Sequence, residues 1–158
     1  MHLIMAYIAS IGNIYGDGGL HNILTSSNVY ASATACLMLQ GNHYARGIRS
    51  IRLVHEAMSN LYLSSAESFA RMNGLPWLDD ETLDLLKKLK MSFKQENHSS
   101  TVALSGEIEH KLSSVTETTV KFQTAGRDIS ATFTYCSSFL KAENILLRLL
   151  RADHEANF

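Results

Sequence analysis

The sequence predicts an all-α fold, a helical bundle of five to seven helices with one long helix near residues 43–73, built as a single domain over residues 1–158. Three observations lead there. Apolar side chains return every three or four positions through most of the chain. Only one proline interrupts it, and proline removes a backbone donor and breaks helices. Of the 158 residues, 46% are hydrophobic, which argues for a packed core and against disorder.

The first helix is expected over residues 2–14, with Leu3, Tyr7, Ile11 and Ile14 on its buried face. Gly16-Asp17-Gly18-Gly19 supplies the positive φ angles of a sharp turn. No strand precedes these glycines and they lack the GxGxxG and Walker spacings, so they read as a turn and not a phosphate loop. A short helix at 20–25 leads into Ser26-Ser27-Asn28, any of which can cap a helix from Val29 to Gln40. Gly41 is placed to close that helix at its C′ position, and Ala31, Ala33 and Ala35 keep it slim.

The strongest pattern begins at His43. Tyr44, Ile48, Ile51, His55, Met58, Tyr62, Ser65, Phe69 and Met72 alternate steps of four and three, a coiled-coil-like seam. Val54, Ala57 and Leu61 widen it, as in a helix packed within a bundle. Gly74 and Pro76 end the helix. Asp79 starts the next one, with Asp80 and Glu81 at its positive end and Lys87, Lys88, Lys90 and Lys94 toward its negative end. Its stripe is Leu83, Leu86, Leu89 and Phe93.

Asn97 to Thr101 reads as a polar loop. Over 104–124, Leu104, Ile108, Leu112, Val115, Thr119 and Phe122 keep helical spacing, although Val115 to Thr124 is rich in strand-favouring residues. Ala125-Gly126-Arg127-Asp128 makes the last turn. Ile129, Phe133, Cys136, Leu140, Glu143, Leu147 and Leu150 then line the final helix. Glu143 interrupts that seam and is expected at a solvated edge, the alternative being a pair with an arginine from another helix.

Fourteen basic against fifteen acidic residues give a formal charge of -1, which does not favour a nucleic-acid module held by bulk charge. Cys36 and Cys136 have no metal or redox spacing. Both read as small hydrophobes on apolar helix faces, in a chain of intracellular location, nucleus or cytoplasm. No run approaches the ~20 apolar residues that span a bilayer, and residues 1–14 suit an amphipathic helix better than a leader. No membrane partner is expected.

The densest polar cluster opens the long helix: His43, Arg46, Arg49, Arg52, His55 and Glu56. The three arginines advance by three, so they spread over a broad face that can meet an extended anion, near the free N–H groups of a helix N-terminus. His43, Arg46, Arg49 and Arg52 are therefore the candidate anion or nucleic-acid site. The bland alternative pairs Arg52 with Glu56 at i,i+4 and leaves the others in water. His55 and Glu56 are successive and cannot face each other. His55 is expected buried or half-buried, donating to a carbonyl. No HExxH, CxxC or HxH motif occurs, so neither a metal site nor a cofactor is assigned. Asp79, Asp80 and Glu81 are read as capping residues. No nucleophile elbow supports hydrolase chemistry, and no catalytic residue is assigned.

Three stretches carry a resemblance: GDGGLHNIL over 16–24, GNHYARGIRSIRLVHEA over 41–57 and FTYCSSFLKAENILLRLLRADHEANF over 133–158. Together they resemble an uncharacterised, transposase-associated domain of large transposon-derived proteins of animals and fungi. The resemblance picks out Gly41, Tyr44, Arg46, Arg49 and Glu56, with Arg148 and Arg151 near the end. His154 and Phe158 stand where that family often has a basic residue and a tryptophan. The resemblance implies a helical fragment of a longer protein, itself related to cut-and-paste transposases whose carboxylates bind metal on a mixed sheet. No such sheet is readable here, so the chain is not read as an enzyme by itself. The expected function is a non-catalytic module that packs against a protein partner or another copy. The alternatives are a nucleic-acid contact through Arg46, Arg49 and Arg52, and a part of a divided metal-dependent nuclease contributing Glu56 or Glu155.

Overall fold

The structure, a computed structural model, describes residues 2–94 and 98–155, without the side chains of 93–104 and 107. Among the described residues the chain forms seven α-helices and no strand, as the sequence predicts. They are α1 (His2–Tyr15), α2 (His21–Ser26), α3 (Ser32–Leu39), α4 (Tyr44–Met72), α5 (Asp80–Lys94), α6 (His98–Ile129) and α7 (Ala131–Glu155). A wide π-type turn over Gly16–Leu20 joins α1 to α2. The chain divides into two compact units, Met1–Leu61 with Thr132–Phe158, and Tyr62–Ala131.

The first unit is built around Ile8, Ile11, Leu24, Met38, Ile51, Phe139 and Leu146. Burial of each such side chain contributes about 1.5–3 kcal/mol. Helix α1 buries Ile4, Ile8, Ile11 and Tyr15. The expected stripe is displaced by one residue at both ends, because Leu3 and Ile14 are each 67% exposed. Close approach selects the face: a Cβ on Gly12 would overlap the Leu39 carbonyl, so α1 lies against the end of α3 with that glycine inward. At the π-type turn Gly19 takes a φ of 122°, open to glycine alone at low cost. The turn expected at 16–19 is there.

Helix α3 starts three residues later than expected. Asn28 has a φ of 54° and its N–H reaches the Thr25 carbonyl, so it closes α2 instead of capping α3. The Ser26 and Ser27 hydroxyls donate back to the Asn22 and Ile23 carbonyls, and Ala31 precedes α3 with no side-chain cap. Gly41 does close α3, with a φ of 82° and with Gly41 and Asn42 donating to Met38 and Leu37. Cys136 is half-buried, but Cys36 is exposed, against its expected apolar placement: α3 turns Ala35, Met38 and Leu39 inward instead.

Helix α4 serves both units. Ser50, Ile51 and Val54 are buried in the first; Ala66 and Ala70 are buried in the second, where Tyr62 and Phe69 pack edge-on and tilted against Phe122 of α6. The seam expected through Leu61 and Met72 does not persist, since these are 68% and 80% exposed, and Ala57 and Ser65 also face out. A straight helix drifts ~20° per heptad against a 3.5-residue repeat, which brings Ala66 and Ala70 onto the buried face. Gly74, with a φ of 61°, ends α4 as expected, Leu75 donating to Ala70 and Gly74 to Arg71.

In the second unit the Thr82 N–H donates to Asp79 Oδ1 at 2.7 Å, the cap that the sequence predicts. Helix α5 buries Thr82, Leu85 and Ser92, while Leu83 is exposed and Leu86 and Leu89 are half-buried. The stripe has turned toward α6, to which Glu81 is tied by Lys111. Phe93 and Leu104 lie outside the described side chains. Residues 98–101, expected in a loop, are helical, and so are 125–128, expected as a turn. Gly126 alone costs about 1 kcal/mol in a helix interior, too little to break α6, and the break comes at Ser130. Thr116, Thr118, Thr119 and Thr124 donate to carbonyls four residues back, which satisfies their hydroxyls within the helix. Ile129, expected in the last seam, is 85% exposed.

Candidate functional site

The first turns of α4 carry an open groove of about 600 Å³, lined by Ile48, Arg49, Arg52, Leu53, His55 and Glu56 with Leu147 of α7. The helix spacing explains the grouping. Arg49 and Arg52 are three apart and Glu56 follows four later, so these side chains share one strip of surface. Apolar walls and two guanidinium groups therefore meet in one depression.

Both arginines are exposed. The expected Arg52–Glu56 pair does not form: Arg49, Arg52 and Glu56 have no ion-pair partner among the described residues. The other sequence-stretch residues are elsewhere. His43 is exposed just before α4, with a φ of 59°. Arg46 is exposed and its carbonyl accepts from the Ser50 hydroxyl. Neither lines the groove. Tyr44 packs on the core, and Gly41 is buried, with the Met5 carbonyl 2.6 Å from where its Cβ would stand. Arg148 is exposed, and Arg151 Nε donates to Glu155 at 2.8 Å. Of the four candidate anion residues, the groove unites two.

Behind the groove lies a pair the sequence reading missed. His55 Nδ1 is 3.2 Å from Glu143 Oε2. Glu143 has no exposed surface, which overturns its expected solvated edge. The face of α7 that carries Phe139 and Leu146 inward carries Glu143 with it. Nor does His55 donate to a carbonyl as expected; the carboxyl is its partner. Burial pushes that carboxyl up to about 8, because a low-dielectric site disfavours the charged form. At neutral pH Glu143 thus holds its proton and Oε2–H donates to Nδ1. The other ring nitrogen, Nε2, faces Ser59 Oγ at 3.4 Å. Oε1 of Glu143 has no hydrogen-bond partner among the described residues. Next to it in sequence, the Ala142 carbonyl accepts from the Tyr7 hydroxyl at 3.1 Å, which braces α7 on α1.

One signal for this pair was in the sequence. His55 and Glu143 are each a polar break in an otherwise apolar seam, and two such breaks can satisfy each other. Their separation of 88 residues hid which seam met which. Among the described residues no group of three or more His, Cys, Asp or Glu side chains is placed to hold a metal ion, and none of the helices is long and apolar enough to cross a membrane.

Compared with known proteins, the chain matches one family model, described as Domain of unknown function (DUF8702), over residues 1–158. No curated protein and no solved structure matches it.

Proposed function

We propose that this chain, which belongs to the domain of unknown function family DUF8702, is a non-catalytic helical module that docks an acidic, apolar segment of an intracellular partner protein. The dock is the groove along α4. One observation carries the reading: Arg49 and Arg52, neither of them paired, share a groove with Ile48, Leu53 and Leu147. A guanidinium binds a carboxylate bidentately, and apolar side chains beside that carboxylate would cover the groove walls. Arginine at an interface supplies energy and register together.

Nucleic acid is the weaker alternative. A phosphate backbone laid along this strip would meet Glu56, and a formal charge of -1 gives no long-range attraction. A divided metal site using Glu56 or Glu155 has less support still: Arg151 holds Glu155, and among the described residues no group of three or more His, Cys, Asp or Glu is placed to hold a metal ion. Kinship with transposon-derived proteins belongs to this reading and is supported by the stretches at 16–24, 41–57 and 133–158 alone.

The test is a selection of displayed random peptides on the full chain. Enrichment of sequences with one or two acidic residues flanked by Leu, Ile or Phe, lost for the Arg49→Glu/Arg52→Glu chain, supports the reading. Enrichment indifferent to that change overturns it. Duplex or single-stranded nucleic acid bound with a steep salt dependence would put the alternative in its place.

A further inference from the structure

The groove leaves Glu143 without a task. A carboxyl that is wholly buried and has one oxygen unpartnered is a poor structural element, because an apolar side chain of similar volume packs there without a desolvation penalty. Its one partner, however, is the imidazole that lines the groove. Glu143 reaches the groove only through His55.

We infer that Glu143 is a positioning residue for the groove: an oxyanion held by Arg49 and Arg52 draws the Glu143 proton across to His55, so that a neutral pair becomes an ion pair whose positive end faces the ligand. The inference rests on the docking reading and deepens it, since it names an oxyanion as the group received and gives the site a response to it. The step balances within the pair. The Oε2–H bond breaks, the Nδ1–H bond forms, and the carboxylate keeps the electron pair; no proton comes from or goes to solvent. His55 then carries a proton on both ring nitrogens.

The surroundings fit this transfer. On α4 the charged groups at the groove are Arg49, Arg52 and Glu56. On α1 the titratable group beside this part of α7 is Tyr7, whose hydroxyl burial holds above its ordinary range, so it stays neutral. Without a ligand, burial keeps the proton on Glu143, and Glu56 offsets part of the arginine charge in the groove. A bound oxyanion adds negative charge at short range, which favours a proton on the imidazole. A static polar pair would not respond at all.

The experiment uses the full chain, isotope-labelled, with inorganic sulfate as probe at neutral pH and constant ionic strength. Nuclear magnetic resonance follows the His55 ring nitrogens and the Arg49 and Arg52 Nε–H groups. The inference expects the arginine signals to move and both His55 nitrogens to reach imidazolium positions together, with one sulfate affinity. Calorimetry in buffers of different ionisation enthalpy should find no net proton uptake. In Glu143→Gln the arginine signals still move, His55 stays neutral, and affinity falls about tenfold, within the usual range of a coupling between groups.

A His55 ring that stays neutral while the arginines respond overturns the transfer and leaves the docking reading standing. Uptake of close to one proton per sulfate also overturns it, because solvent and not Glu143 would then supply the charge. No response from any of the three residues overturns it too, and the peptide selection remains the separate judge of the groove. Should Glu143→Gln fail to fold, the unsubstituted chain decides by its ring signals and its proton balance.

Discussion

Nδ1 of His55 and Oε2 of Glu143 stand 3.2 Å apart across 88 residues of sequence, the carboxyl without exposed surface and the imidazole at the wall of the α4 groove. That relationship ties the core of the first unit to the groove that holds Arg49 and Arg52. It also makes the stability of the chain depend on pH in a defined sense.

The Glu143 carboxyl titrates near 4.5 in an unfolded chain and at about 8 when folded. Between those values the folded chain holds a proton that the unfolded chain has lost. The Glu143 contribution to stability is therefore full below the lower value, falls as pH rises through the window, and levels off above the upper one, with a slope of at most about 1.4 kcal/mol per pH unit. Urea unfolding at a series of pH values checks this. Glu143→Gln should flatten the decline relative to the unsubstituted chain.

Two glycines should respond in opposite directions to the same substitution. A Cβ on Gly12 overlaps the Leu39 carbonyl, whereas one on Gly106 in α6 meets nothing within 4 Å among the described residues. Gly12→Ala is expected to cost about 1–3 kcal/mol, as overpacking does. Gly106→Ala should stabilise by up to about 1 kcal/mol through helix propensity. Thermal melts of the two chains give the comparison.

The start of α5 should loosen in Asp79→Ala. The Thr82 N–H donates to Asp79 Oδ1 at 2.7 Å, and hydrogen bonds from the Thr82 hydroxyl first and this N–H second hold the Asp79 carboxyl below its ordinary range. Hydrogen exchange at the Thr82 amide is expected to quicken in the alanine variant and to change little in Asp79→Asn, which keeps an accepting oxygen.

Crowding the second unit tests its alanine face. Ala66 and Ala70 are fully buried on α4, so Ala66→Leu or Ala70→Leu forces large side chains into a filled space. Each should cost about 1–3 kcal/mol in chemical unfolding. Leu61→Ala, at a position 68% exposed, should change stability by less than about 0.5 kcal/mol.

The helices were legible because the apolar spacing and their stop signals are local. Gly41 and Gly74 end α3 and α4 as residues that tolerate positive φ, and Asp79 caps α5. Which face turns inward is not local. Leu3 and Ile4 begin overlapping stripes on α1, and the contact of Gly12 with α3 chooses between them. The ends of α6 were missed for a related reason: a polar stretch at 98–101 and a lone Gly126 look like breaks, but neither contains proline. At the site, the clustering of Arg49 and Arg52 follows from their spacing. The partner of His55 does not, because only the packing of α7 on α4 brings Glu143 to it.

A charge-swap measurement goes most directly to the docking reading. A peptide selected on the full chain for its acidic and apolar residues is measured against Arg52→Glu, then again with its acidic residue changed to lysine. The account predicts a loss of more than about tenfold with the original peptide, or at least 1.4 kcal/mol, and recovery of most of it with the lysine peptide. Equal binding of the original peptide to both chains, or loss without recovery, would contradict a carboxylate seated on Arg52.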